Sequence, residues 1–87
     1  MKIKLFYFAR LKETLKYSTE DLELAEADGP WTILKLKAYL AKRGDVWGQM
    51  LMGKLKVRAA INHELVNDDA SIADGDEVAF FPPVTGG

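Results

Sequence analysis

The sequence predicts an α+β domain in which a mixed sheet of about five strands grips one main helix, with shorter helices beside it. Three observations lead there. Short runs with period-two or strand-like patterning lie on both sides of a single segment with helical spacing, Trp31 to Arg43. At 87 residues, 48% hydrophobic and 29% charged, the chain has the makeup of one domain and no room for a second. It has no cysteine, so its stability must come from packing and hydrogen bonds, without disulfides or thiolate metal sites.

Lys2-Ile3-Lys4-Leu5-Phe6-Tyr7-Phe8 opens as an alternating strand with Ile3, Leu5 and Tyr7 on one side. Phe6 and Phe8 make its far end apolar on the other side too. Leu11 and Leu15, four apart within Ala9 to Leu15, predict a short helical turn. Glu20 to Glu26 alternates again, with Leu22 and Leu24 inward and acids outward, as suits an exposed antiparallel strand. Asp28-Gly29-Pro30 is a turn, with Pro30 suited to the first turn of the next helix. In that helix Ile33, Leu36 and Leu40 form the apolar stripe, Lys35, Lys42 and Arg43 a solvated face, and Gly44 the stop. Lys37 falls near the apolar arc and is expected to snorkel outward along its stem.

A second short helix is predicted over Val46 to Met52, with Trp47, Met50 and Leu51 inward. Lys56 to Ile61 returns to strand character, with Val57, Ala59 and Ile61 on one face. Asn62-His63-Glu64 reads as a hairpin turn into a brief arm, Leu65-Val66. The polar connection that follows carries one apolar anchor, Ile72, and a tight turn at Asp74-Gly75-Asp76 before the last strand, Glu77 to Phe81. A hairpin on either side of the helix places the first and last strands together and parallel at the sheet centre, an inference that also leans on the resemblance described below. The domain is expected to span residues 1–81 and to be followed by an extended tail, 82–87.

Composition excludes several functions. A formal charge of -1 is unlike a nucleic-acid binder. No apolar run approaches the roughly 20 residues needed to cross a bilayer, and MKIKLFYFAR is too short and too alternating for a signal peptide, so a cytoplasmic protein is expected. The single histidine, His63, sits in a predicted turn and is a poor centre for a catalytic triad. The acid-rich loop fails as an EF-hand: with Gly75 at the sixth position, Ala70 occupies the first. No metal site is expected. The tryptophans read as packing residues, and the helix cations as a solvated face.

The ending, FFPPVTGG, is different. Pro82 and Pro83 cannot donate ladder hydrogen bonds, so the strand must stop and the chain leave as a stiff segment. Pro82 to Gly87 can reach roughly 18–20 Å when extended. Gly86 and Gly87 have no side chains, leaving backbone and a carboxylate slim enough for a narrow channel. Phe80-Phe81 puts aromatic area on both faces of the last strand; a ring on an uncovered face costs roughly 2 kcal/mol unless buried, so Phe81 is expected to meet a partner protein.

Tyr7-Phe8-Ala9-Arg10-Leu11, Ala60-Ile61-Asn62 and Asp74 to Gly87, together with the element order, resemble the small sulfur-carrier subunits of molybdopterin synthase (MoaD), of the MoaD/ThiS ubiquitin-like family. Lys12 departs from the arginine common in relatives, which bears on a local surface contact only. The resemblance implies a ubiquitin-like β-grasp fold and a role for Gly87 in molybdenum cofactor biosynthesis. An E1-like adenylyltransferase (MoeB) uses ATP and magnesium to adenylate the Gly87 carboxylate, and sulfur replaces AMP to give a thiocarboxylate. The tail of Pro82, Pro83, Val84, Thr85, Gly86 and Gly87 then enters the large subunit (MoaE) and delivers sulfur to cyclic pyranopterin monophosphate. Leu65 and Phe81 match the partner-facing apolar patch, and the assembly implied is a heterotetramer. This chain then binds no cofactor, and the catalytic side chains reside on the large subunit. Two alternatives share the diglycine end: a carrier of the thiamine type (ThiS), and a ubiquitin-like modifier joined through Gly87 to a lysine.

Overall fold

Alternation at the start of the chain builds the sheet's first strand, β1 (Lys2–Tyr7), with Ile3, Leu5 and Tyr7 all buried. The structure is a computed structural model and describes residues 1–54 and 56–83; residues 55 and 84–87 lie outside it. After β1 come α1 (Arg10–Leu15), β2 (Thr19–Glu23), a 3-10 turn (Glu26–Asp28), α2 (Ile33–Ala41), α3 (Asp45–Met52), β3 (Arg58–Ile61), β4 (Glu64–Val66) and β5 (Glu77–Phe81). The strands form one sheet in the order β2-β1-β5-β3-β4. The first and last strands pair in parallel at its centre, Lys4 with Glu77 through Tyr7 with Phe80, while the other pairings are antiparallel. This is the ubiquitin-like β-grasp predicted.

One sheet face is covered and one is open. Ile33, Leu36 and Leu40 of α2 bury their stripe with Leu5, Val78 and Phe80 of the central strands, all at 0% exposure. Burying each such side chain contributes about 1.5–3 kcal/mol, so these six residues supply much of the driving force for folding. Leu11 and Leu15 of α1 and Leu51 of α3 join the same core, as their spacing predicted. Among the described residues no helix is long and apolar enough to cross a membrane.

Local chemistry sets the boundaries. Thr32, not Pro30, starts α2: its Oγ1 accepts from the Lys35 N–H at 3.2 Å, and the helix begins at Ile33. Gly44 does not stop α2, which ends at Ala41; it is the N-cap of α3. Asn62 and His63 both take positive φ, 50° and 72°, the paired left-handed conformation of a tight hairpin turn. Asn62 then ties that turn to β5, its Oδ1 accepting from the Glu77 N–H and its Nδ2 donating to Asp76, both at 2.9 Å. Asp74 accepts from the Lys2 N–H and Asp76 from the Ala73 N–H, and Gly75 between them has φ 86°. The acidic loop is therefore turn chemistry that registers β5 against β1.

Lys37 does not snorkel. It is 2% exposed, and its Nζ donates to the Val57 carbonyl at 2.7 Å and to Asp68 at 2.8 Å. The ammonium is retained inside because two acceptors from the β3 and β4 side reach it, joining α2 to both arms of the second hairpin. Removing the acceptor leaves an uncompensated charge, whereas removing the charge leaves only a space that an apolar chain can fill. Asp68→Ala is therefore expected to destabilise the protein by about 2–4 kcal/mol and Lys37→Met by clearly less, read from urea unfolding midpoints. Equal losses would contradict that account.

Candidate functional site

Outward side chains of the open face can be followed strand by strand. Phe6 stands across from Thr19 on one side and Ala79 on the other; Ala79 faces Ala60, and Ala60 faces Leu65. Because side chains alternate, the residues two steps toward the tail are Phe8 and Phe81, with Phe81 across from Arg58. The Phe6 and Phe8 rings lie nearly parallel with centroids 6.5 Å apart. Phe6, Phe8, Ala79 and Phe81 line a shallow groove of about 250 Å³, with His63 and Glu77 at one end.

The two partner-facing residues named from the sequence occupy this face but differ in exposure. Leu65 is 57% exposed, whereas Phe81 is only half-buried rather than fully presented, because it shares the groove with its neighbouring rings. Phe8, at 49% exposure, is the more open ring. The sequence placed Phe6 and Phe8 on this face without assigning them to the patch; their period-two offset from Ile3, Leu5 and Tyr7 was the available signal. Pro82 and Pro83 follow β5 directly and are half-buried. Val84, Thr85, Gly86 and Gly87 lie outside the described residues.

The root of the tail is fixed from below. Phe80 is fully buried, its carbonyl accepts from the Phe8 N–H at 3.1 Å, and its ring packs against Tyr7 at 6.2 Å between centroids. Tyr7 donates to Glu20 Oε2 at 3.3 Å. Burial first, then the adjacent Glu20 carboxylate, raises the pKa of this phenol well above its ordinary value, so it stays protonated as a donor. Arg43 grips both oxygens of Glu20 at 2.7 and 2.9 Å, with its guanidinium 4.6 Å from the Trp47 ring centre. The hydrogen bond to Glu20 raises the Arg43 pKa further. Glu20 shares the inward face with Leu22 instead of joining the outward acids, and Arg43, exposed as expected, is also held in a clamp.

Chemically, this surface is suited to docking. Its described side chains are rings and alkyl groups bordered by Arg58 and by His63, whose side chain is 89% exposed with Nε2 3.5 Å from Glu77. A family model described as the ThiS family matches residues 5–87. The chain belongs to the ThiS family. It is 45% identical to the molybdopterin synthase sulfur carrier subunit of Escherichia coli (strain K12) over 85 residues, 98% of this chain and 99% of that one. The corresponding subunit of Haemophilus influenzae (strain ATCC 51907 / DSM 11121 / KW20 / Rd) is 35% identical with the same coverage. Among solved structures, SAMP1 from Haloferax volcanii matches with a TM-score of 0.77 at 26% identity, both chains covered in full.

Adjacent phenylalanines in this ThiS-family chain should respond oppositely to truncation. Phe80→Ala is expected to cost about 3–5 kcal/mol of folding stability, and Phe81→Ala less than about 1 kcal/mol, in chemical denaturation of the free chain. A Phe81→Ala loss as large as that of Phe80→Ala would place Phe81 in the core and remove it from the open face.

Proposed function

We propose that this chain is the sulfur-carrying small subunit of a molybdopterin synthase, and that its functional group is the carboxylate of Gly87. The observation that carries this reading is the extent of the match: the family alignment runs through residue 87, and 45% identity to a sulfur carrier subunit extends over nearly the whole of both chains. A carboxylate with an ordinary pKa near about 3.5 is ionised at neutral pH and resists nucleophiles. An E1-like adenylyltransferase (MoeB) activates it with ATP and magnesium: the carboxylate oxygen takes the α-phosphate and pyrophosphate leaves. A sulfur nucleophile then displaces AMP at the acyl carbon, producing the thiocarboxylate.

The domain's own contribution is to hold and present that end. β5 anchors the root between β1 and β3, Pro82 and Pro83 end the ladder and stiffen the exit, and the diglycine keeps the tip slim. Docking through Leu65, Phe81 and the rings beside it brings the tail to the active site of the large subunit (MoaE), which supplies the catalytic side chains for transfer to cyclic pyranopterin monophosphate. Two small subunits on a dimer of large ones complete the heterotetramer, in the cytoplasm.

A second reading is favoured by one observation: the likeness to SAMP1, whose name in a related structure is small archaeal modifier protein 1. A modifier joins Gly87 to lysines of other proteins and accumulates isopeptide-linked adducts; a carrier does not. For the first reading, one residue added after Gly87 is expected to abolish molybdopterin formation in a reaction reconstituted with activating enzyme and large subunit, with the unfolding midpoint unchanged. Full activity of the extended chain would rule out the tail mechanism.

A further inference from the structure

Among the described residues, matching the outward charges of the sheet by register leaves one, Arg58, with no carboxylate in its own row. At the end far from the tail, Lys2 stands across from Glu23, and Lys4 lies between Asp21 and Glu77. The middle row, Phe6 to Leu65, is apolar. At the tail end the exposed Arg58 stands across from Phe81, and among the described residues it makes no ion pair. Arg43 shows the contrast, with both oxygens of Glu20 engaged. Asp68 and Asp69 share a concavity with Arg58 toward β4, but Asp68 is bound by Lys37 and Asp69 makes no ion pair with Arg58.

We propose that Arg58 is a specificity-determining docking residue that selects a protein partner carrying an Asp or Glu side chain beside the point where the tail leaves the sheet. The proposal rests on the reading above that a partner covers this face. A surface that covers Phe81 also strips water from the guanidinium across from it, and a desolvated charge without a counter-charge opposes binding strongly. A carboxylate reverses this effect, because the planar fork accepts it with two parallel hydrogen bonds, which a neutral or basic partner surface cannot offer. Arg58 therefore discriminates among apolar surfaces that the phenylalanines alone would accept. It acts at the dock, beside the end of β5, and is not assigned to the reacting group.

The test is titration calorimetry of the full chain against the molybdopterin synthase large subunit of the same organism, at low and high salt. Wild type, Phe81→Ala, Arg58→Met and Arg58→Glu are compared, with thermal unfolding of each free variant as the folding control. Expected are weaker binding by Phe81→Ala, an affinity loss of about tenfold with flattened salt dependence for Arg58→Met, and a larger loss for Arg58→Glu. Reversing the partner's facing carboxylate to lysine should restore Arg58→Glu. Wild-type affinity and salt dependence in Arg58→Glu, with Phe81→Ala still weakened, would overturn the role of Arg58 and leave the docking face standing. Absence of wild-type binding would overturn the carrier reading and this inference with it.

Discussion

Parallel pairing of β1 with β5 is the constraint on which the rest of the structure depends. It inserts β5 between the first strand and β3, at the centre of the sheet. Val78 and Phe80 of central β5 are fully buried in the same core as the α2 stripe. The same placement gives Phe81 and Pro82 a root that cannot fray without breaking ladders on two sides. Under the function proposed above, an origin held this firmly leaves less orientation to be fixed at the moment of docking.

Alternation along β5 then divides labour between the two faces. Phe80 points into the core, where it touches Tyr7 and through it the Glu20 and Arg43 pair; Phe81 points to the open face, where it lies with Phe6, Phe8 and Ala79. One residue of register separates the core from the open face. The clamp under Tyr7 draws on β2, on the segment after α2 and on α3, so the floor beneath the tail root is tied to three elements. Lys37 does the equivalent on the other side, joining α2 to Val57 and Asp68.

Much of this was legible in the sequence because it is periodic or local. The β1 alternation, the Ile33, Leu36 and Leu40 stripe, the Asn62-His63 turn and the Asp74-Gly75-Asp76 loop all encode their structure within a few residues. What the sequence hid was decided by distant partners. Lys37 finds Asp68 31 residues away and Arg43 finds Glu20 23 residues away, so Lys37 read as a snorkelling residue beside the apolar arc and Arg43 as an ordinary surface cation. The starting point of α2 was misplaced because Pro30 is a conspicuous signal and the Thr32 cap a quiet one. Phe81 was assigned to the correct face, but it shares its groove with Phe6 of β1 and Phe8 just after it, which alternation in β5 alone cannot reveal. The functional group proposed, a terminal carboxylate, belongs to no side-chain pattern and is suggested only by composition and resemblance.

The account holds that a well-anchored domain carries reactivity on its last atom. Intact-mass measurement of the protein taken from its native cell, with and without the adenylyltransferase, tests this most directly. The account predicts a species in which one oxygen of Gly87 is replaced by sulfur, present with the activating enzyme and lost without it. A chain found solely as the unmodified carboxylate, or solely as isopeptide-linked adducts, would contradict it.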